Sequence, residues 1–250
     1  MTYLKTMVNF ANSPISSERI VDFLKQEVQI KEVSQKILWQ QIVSEAAQER
    51  SIVVSSDEIQ AEADRQRYQM RLESAAATFA WLEDQLITPE DWEAGIRQKL
   101  LAQKLSESLF ADEVERYFAE HRLDFEQVSL YRITVPYEQL SQELFYQIEE
   151  NEISFYEAAH LYDIDEQRRL QCGYEGRFYR WSLKAELAAA IFGSSLGTLI
   201  GPLKNEHGYD LFLVEEFISA ELTPVVRQEI IDRLFKEWLV RELNYLIHNQ

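Results

Sequence analysis

The sequence predicts an α+β protein of two parts: a helical domain, and a smaller domain with a mostly antiparallel sheet flanked by helices. Three observations carry this. From Ser16 to about Leu123 apolar residues recur at helical spacing, and Gly95 is the one glycine in the span. Near Phe125 the period shortens to two. Four of the seven glycines then fall between Gly193 and Gly208, in a string that reads as turn, strand, turn, strand.

Taken in order, Ile20, Phe23, Leu24 and Val28 begin a helical repeat that Ile30, Val33, Ile37, Leu38, Ile42 and Ala46 continue. This is one long or broken helix to about Arg50. Ser55 stands three residues before Glu58, the interval of a capping box, and opens a helix carrying Ile59, Ala63 and Met70. Thr88, Pro89 and Glu90 supply a cap, a proline at the first helical position and an acid for the helix dipole. The helix they open is lined by Trp92, Ile96, Leu100, Leu101 and Leu105. Asp112 and Glu115 open a short one. Val128, Leu130, Arg132 and Thr134 alternate with Ser129, Tyr131, Ile133 and Val135, a strand that Pro136 ends. Helices follow from Gln139 to about Glu149 and through Phe155, Ala158, Ala159 and Leu161, then a glycine-bearing loop from Tyr162 to Arg180 and the two later strands. Thr223 and Pro224 begin a final helix with Val226, Ile230, Leu234, Trp238 and Leu246 on one side. A terminal helix of this kind is marginal alone in water, so it is expected to pack on the N-terminal helices. The domains expected are 1–124 completed by 220–250, and 125–219.

Composition excludes several functions. The 43 acidic against 25 basic residues give a formal net charge of -18, which repels phosphate backbones, so no nucleic acid is expected as a partner. Nothing approaches the roughly 20-residue apolar run of a spanning helix, so membrane insertion is not expected either. The opening residues lack the basic start and apolar core of a secretory signal, and a cytoplasmic location is expected. A single cysteine, Cys172, permits no intramolecular disulfide and has no recognisable nucleophilic constellation around it. His121, His160, His207 and His248 show no metal-ligand spacing, so neither metal nor cofactor is expected. The sequence leaves oligomeric state open.

Four segments carry a resemblance. LYRITVPY, SFYEAAHLYDID, CGYEGRFYRWSLKAELAAAIF and SLGTLIGPLKNEHGYDLFLVEEF follow in order over about 90 residues. They resemble, respectively, the opening strand, the helix and loop after it, the glycine loop with its phenylalanine and helix, and the glycine-proline turn and last strand of the parvulin peptidyl-prolyl isomerases. The whole layout is similar to the SurA-like chaperone-isomerases, in which a helical module built from both chain ends flanks such a domain.

The resemblance implies a protein that binds extended, proline-containing polypeptide, an unfolded chain or a precursor peptide, and either isomerises it or escorts it. It implies an apolar proline-binding slot from Leu183, Leu187 and Phe192, with Phe178 beside them. It also implies Asp165 as the acid near the twisting amide, or Asp163 as the alternative, because the loop after Asp165 is one residue longer than the family's. Parvulins set two histidines face to face beneath the slot; the corresponding positions here are Arg132 and Asp210. His207, three residues before Asp210, is a near miss. Glu175 stands where the family usually has an apolar residue. Complementary charges on adjacent strands satisfy each other where two imidazoles otherwise would, so the expectation is an Arg132–Asp210 pair. That pair has two readings, a re-tuned binding floor or a structural salt bridge; Asp165 likewise reads as an acid at the amide or as a turn former and cap.

Overall fold

The computed structural model describes residues 7–10 and 13–248. The chain divides into two compact units, Met1–Glu113 with Glu229–Gln250, and Val114–Gln228.

The first unit opens with an antiparallel hairpin, β1 (Met7–Phe10) and β2 (Ser13–Ser16), which the sequence reading left unassigned. Helices α1 (Ser17–Gln26) and α2 (Ile30–Glu49) follow. The break between them is at Val28, which adopts a left-handed φ of 59° and lies 85% exposed. Helix α3 (Ser56–Gln69) starts at the expected capping box, with Ser55 Oγ accepting from the Glu58 N–H and the Glu58 carboxylate accepting from the Ser55 N–H. Helix α4 spans Ala75–Asp84, and α5 (Pro89–Phe110) begins with a second box between Thr88 and Asp91. Ile42, Val43 and Ala46 of α2 form one core with Leu105 of α5 and with Leu239 and Leu243 of the last helix, Pro224–His248. The terminal helix thus completes the helical unit, as its apolar side requires. Val54, Ile59, Ala63 and Ile96 make a second core, where Trp92 Nε1 donates to Gln66 Oε1 at 3.0 Å. None of the described helices is long and apolar enough to cross a membrane.

The second unit begins with α6 (Val114–Glu120) and a 3-10 turn, Arg122–Phe125. Phe118 packs on the buried Phe125 with ring centroids 5.5 Å apart, and Arg227 pairs with Glu115 at 3.5 Å. These contacts hold both ends of the segment to the sheet unit, which is why its limits lie outside those drawn from sequence. The sheet strands are β3 (Gln127–Val135), β4 (Tyr174–Tyr179), β5 (Leu199–Lys204) and β6 (Tyr209–Ile218), in the order β4-β3-β6-β5, all antiparallel. Between β3 and β4 run α7 (Glu138–Glu149), α8 (Phe155–Tyr162) and the short α9 (Glu166–Leu170). Helix α10 (Ala185–Phe192) precedes β5, and α11 (Pro224–His248) follows β6. The stretch Tyr162–Arg180, expected as a loop, therefore contains α9 and an edge strand.

Side-chain alternation gives the sheet two faces. Ile133, Val135 and Leu211 pack with Leu144 of α7 and with Phe155, Ala158 and Ala159 of α8. Val128, Leu130, Phe212 and Val214 point the other way, against Ile191 of α10. A register shift between Ser129 and Leu130 leaves Glu215 as the extra residue of β6, and the Ser129 hydroxyl holds its carboxylate at 2.8 Å.

The helical unit carries an acid-sensitive clasp. Lys104 bonds the Glu58 carboxylate, and with the Ser55 N–H it lowers the Glu58 pKa from 4.5 to about 2. A depressed carboxylate pKa contributes stability that is fully present above the unfolded value and is lost as pH falls through the folded one. The urea midpoint of the helical unit should therefore fall between pH 4.5 and about 2. Glu58→Gln should flatten that fall; an equally steep decline in the variant contradicts the assignment.

Candidate functional site

The face of β3 that carries Val128 and Leu130 continues along the strand with Arg132 and Thr134. On β6 the row Val214 and Phe212 continues with Asp210. Asp210 stands directly opposite Thr134, and Phe212 opposite Arg132. One sheet face thus has an apolar half and a charged half. They meet where the Arg132 guanidinium carbon lies 5.7 Å from the Phe212 ring centroid.

The structure brings Arg132 and Asp210 together. Arg132 Nε and Nη2 each donate to one carboxylate oxygen of Asp210 at 3.0 Å, a two-point fork. Arg132 Nη1 donates to Glu175 Oε1 at 3.2 Å. The other oxygen of Glu175 accepts from Arg168 Nη1 at 2.9 Å. Arg168 Nη2 in turn donates to Thr134 Oγ1 at 2.8 Å, and the Thr134 hydroxyl donates to Asp210 Oδ1, also at 2.8 Å. The bonds close a ring: Arg132, Asp210, Thr134, Arg168, Glu175. Arg168 is further held by Asp163, with Nε to Oδ2 at 2.6 Å and Nη2 to Oδ1 at 2.8 Å.

Burial grades across this network. The Asp163 side chain is 0% exposed, Asp210 8% and Arg168 11%, whereas Arg132 and Glu175 are 24% and 23% exposed. The Arg132–Glu175 edge is the part that solvent reaches. Burial alone disfavours the charged guanidinium of Arg168, but the bonds and charges of Asp163 and Glu175 outweigh it and raise its pKa above the usual arginine value. Two cations facing three carboxylates, each bonded to another, meet the condition under which charges persist out of water.

Backbone geometry lets β4 deliver Glu175. The Arg132 N–H donates to the Gly173 carbonyl at 2.7 Å, and Gly173 has a φ of 90°. A Cβ there would lie 2.9 Å from Ala159 Cβ and 3.1 Å from the Arg132 carbonyl oxygen, so glycine is required.

Asp165 lies apart from the ring. It caps α9, its Oδ1 accepting from the Arg168 N–H at 2.8 Å, and that bond holds its carboxyl below the ordinary carboxylate range. Of the two aspartates considered from sequence, Asp163 is the one in the network. His207 sits exposed in the turn between β5 and β6, its N–H on Asn205 Oδ1, and does not join the ring. Leu183, Leu187, Phe192 and Phe178 gather in one half-buried cluster over Val128, Leu130, Phe212 and Ile191. Arg180 covers the Phe192 ring, its guanidinium carbon 4.8 Å from the centroid, and Nη1 pairs with Glu126 at 3.2 Å.

Sequence reasoning did not find Thr134 or Arg168 as partners in this site. Thr134 was within reach, since strand alternation puts it on the face of Arg132. Arg168 carried no local signal. Among the described residues no group of three His, Cys, Asp or Glu side chains is placed to hold a metal.

Residues 132–216 match the rotamase family model described as the PPIC-type PPIASE domain. The match takes in every residue of the ring, from Arg132 to Asp210. Among relatives, the foldase protein PrsA of Caldanaerobacter subterraneus subsp. tengcongensis is 24% identical over 205 residues, covering 82% of this chain and 61% of that protein. PrsA of Halalkalibacterium halodurans is 24% identical over 241 residues, covering 93% and 71%. The chain thus spans less than two thirds of the first relative. The crystal structure of the peptidylprolyl isomerase PrsA from Bacillus anthracis aligns with a TM-score of 0.49 and 19% identity, over 81% of this chain and 89% of that one.

Breaking a buried ion pair from one side leaves a charge without its partner, so Asp210→Ala should destabilise the sheet unit by about 3–5 kcal/mol. With Arg132→Ala in a double-mutant cycle followed by chemical unfolding, the two losses should fail to add by about 0.5–3 kcal/mol. Additive losses would show that the fork contributes nothing as a pair.

Proposed function

We propose that the sheet unit binds a proline-containing segment of extended polypeptide and accelerates cis-trans exchange of its X-Pro bond. The observation that carries this reading is the adjacency of the apolar cluster Leu183, Leu187, Phe192 and Phe178 to the solvent-reached edge of the charged ring. The parvulin family match and the names of the foldase relatives support it.

Rotation about an amide breaks and makes no covalent bond; its barrier, about 18–20 kcal/mol, is the lost resonance. A catalyst must hold the twisted amide more tightly than either planar form. The apolar cluster grips the proline ring and removes water from the amide. That disfavours the planar form, in which resonance separates charge, more than the twisted one. On twisting, the proline nitrogen regains a lone pair that accepts a hydrogen bond only in that state. Arg132 is suited to donate it: of the five N–H groups of a guanidinium, three serve Asp210 and Glu175, leaving one each on Nη1 and Nη2. Asp210 and Glu175 hold the fork; Asp165 remains the cap of α9. The net charge of -18 favours basic or neutral clients over acidic ones.

The fork itself supports a second reading. In it the two-point Arg132–Asp210 fork is a structural pair, and the unit serves as a proline-segment binding module with little catalysis, an escort for unfolded chains or precursor peptides.

Exchange NMR of an Ala-Pro peptide at substoichiometric protein separates the two. Wild type should accelerate exchange, Leu183→Ala or Phe192→Ala should lower kcat/KM by about tenfold or more, and Asp165→Asn, which keeps a capping oxygen, should retain the rate. No acceleration by wild type, with aggregation of an unfolded client suppressed, would replace the enzyme with the escort.

A further inference from the structure

We propose that Arg168, which the sequence motifs do not mark, is a positioning residue for Arg132: it fixes both carboxylates that orient that guanidinium. The inference rests on the role given to Arg132 above. Three observations lead to it.

First, each acceptor of Arg132 is held from its far side by Arg168. Glu175 is shared, one oxygen to each arginine. Asp210 is reached through Thr134, whose hydroxyl accepts from Arg168 and donates to Asp210 Oδ1. Second, Arg168 is anchored independently of Arg132. Its Nε and Nη2 take both oxygens of the fully buried Asp163, whose Oδ1 also receives the Asp165 N–H at 3.0 Å. Third, Arg168 ties together side chains from three segments at this end of the sheet: Asp163 in the loop after α8, Thr134 on β3 and Glu175 on β4. A guanidinium held only by Asp210 still pivots about that carboxylate; one braced from Glu175 as well has its plane fixed, and with it the direction of its two remaining N–H groups. Lysine at 168 keeps the charge for Asp163 but has a single nitrogen, so it cannot reach Asp163, Glu175 and Thr134 in this fork geometry.

The experiment compares wild type with Arg168→Lys, Thr134→Val and, as a control at the neighbouring arginine, Arg169→Lys. Two quantities are read: water exchange of the Arg132 Nε–H by NMR, and kcat and KM for an Ala-Pro peptide. Arg168→Lys should speed Arg132 Nε–H exchange and lower kcat by about tenfold, with KM changed by less than about twofold. Thr134→Val, which cuts one arm of the brace, should move both in the same direction by less, and Arg169→Lys should leave both unchanged. A merely structural Arg168 would lower Tm while leaving Arg132 exchange in the folded protein as it was. An unchanged Arg132 exchange rate in folded Arg168→Lys, or an unchanged kcat beside an active wild type, overturns the proposal. If wild type catalyses nothing, the functional reading falls, yet the Arg132 exchange rate still decides whether Arg168 braces it. Should Arg168→Lys not fold, Thr134→Val carries the same decision.

Discussion

A guanidinium placed on the floor of a small sheet must find acceptors for its charge or lose the energy of leaving water. Arg132 meets that demand on β3 with Asp210 from β6 and Glu175 from β4. The consequence reaches beyond the pair. Three strands are tied through side chains on one face, the loop after α8 is drawn in through Asp163 and Arg168, and the Arg132–Asp210 fork is left beside Phe212, at the edge of the apolar cluster.

The two halves of this sheet face depend on each other. The β3–β6 ladder sets the strand spacing, apolar packing of Val128, Leu130, Phe212 and Val214 under α10 covers that face, and the fork closes across it at 3.0 Å. Packing is non-directional, so it does not fix where a guanidinium points. The ring does, because hydrogen bonds to planar carboxylates are directional. A slot that must discriminate a twisted from a planar amide needs both: a shape to grip the ring and a donor aimed at one atom.

How far this was legible in the sequence depended on the range of each interaction. The capping boxes at Ser55 and Thr88 are local, with both partners within three residues, and the helices begin where those residues place them. The contact between Arg132 and Asp210 spans 78 residues, yet it was within reach because family spacing and strand alternation fix two positions on neighbouring strands. Strand β4 was hidden. Gly176, with a φ of 120°, and a register shift after Leu130 interrupt its alternation, and as an edge strand it buries too little to show a pattern. Losing β4 as a strand hid Glu175 as the bridge. Arg168 stayed invisible for another reason: a polar residue on a five-residue helix carries no periodicity, and only the folded loop turns it inward. Val28 breaks the first helix without glycine or proline to announce it.

The central claim, that a charged ring and an apolar cluster together form one proline-binding site, is tested most directly by titrating a proline-containing peptide into labelled protein and following side-chain NMR signals. The account predicts that the methyls of Leu183 and Leu187 and the Nε–H of Arg132 shift together, with a single binding constant. Saturable binding that leaves those three groups unmoved, with the shifts elsewhere on the chain, would contradict it.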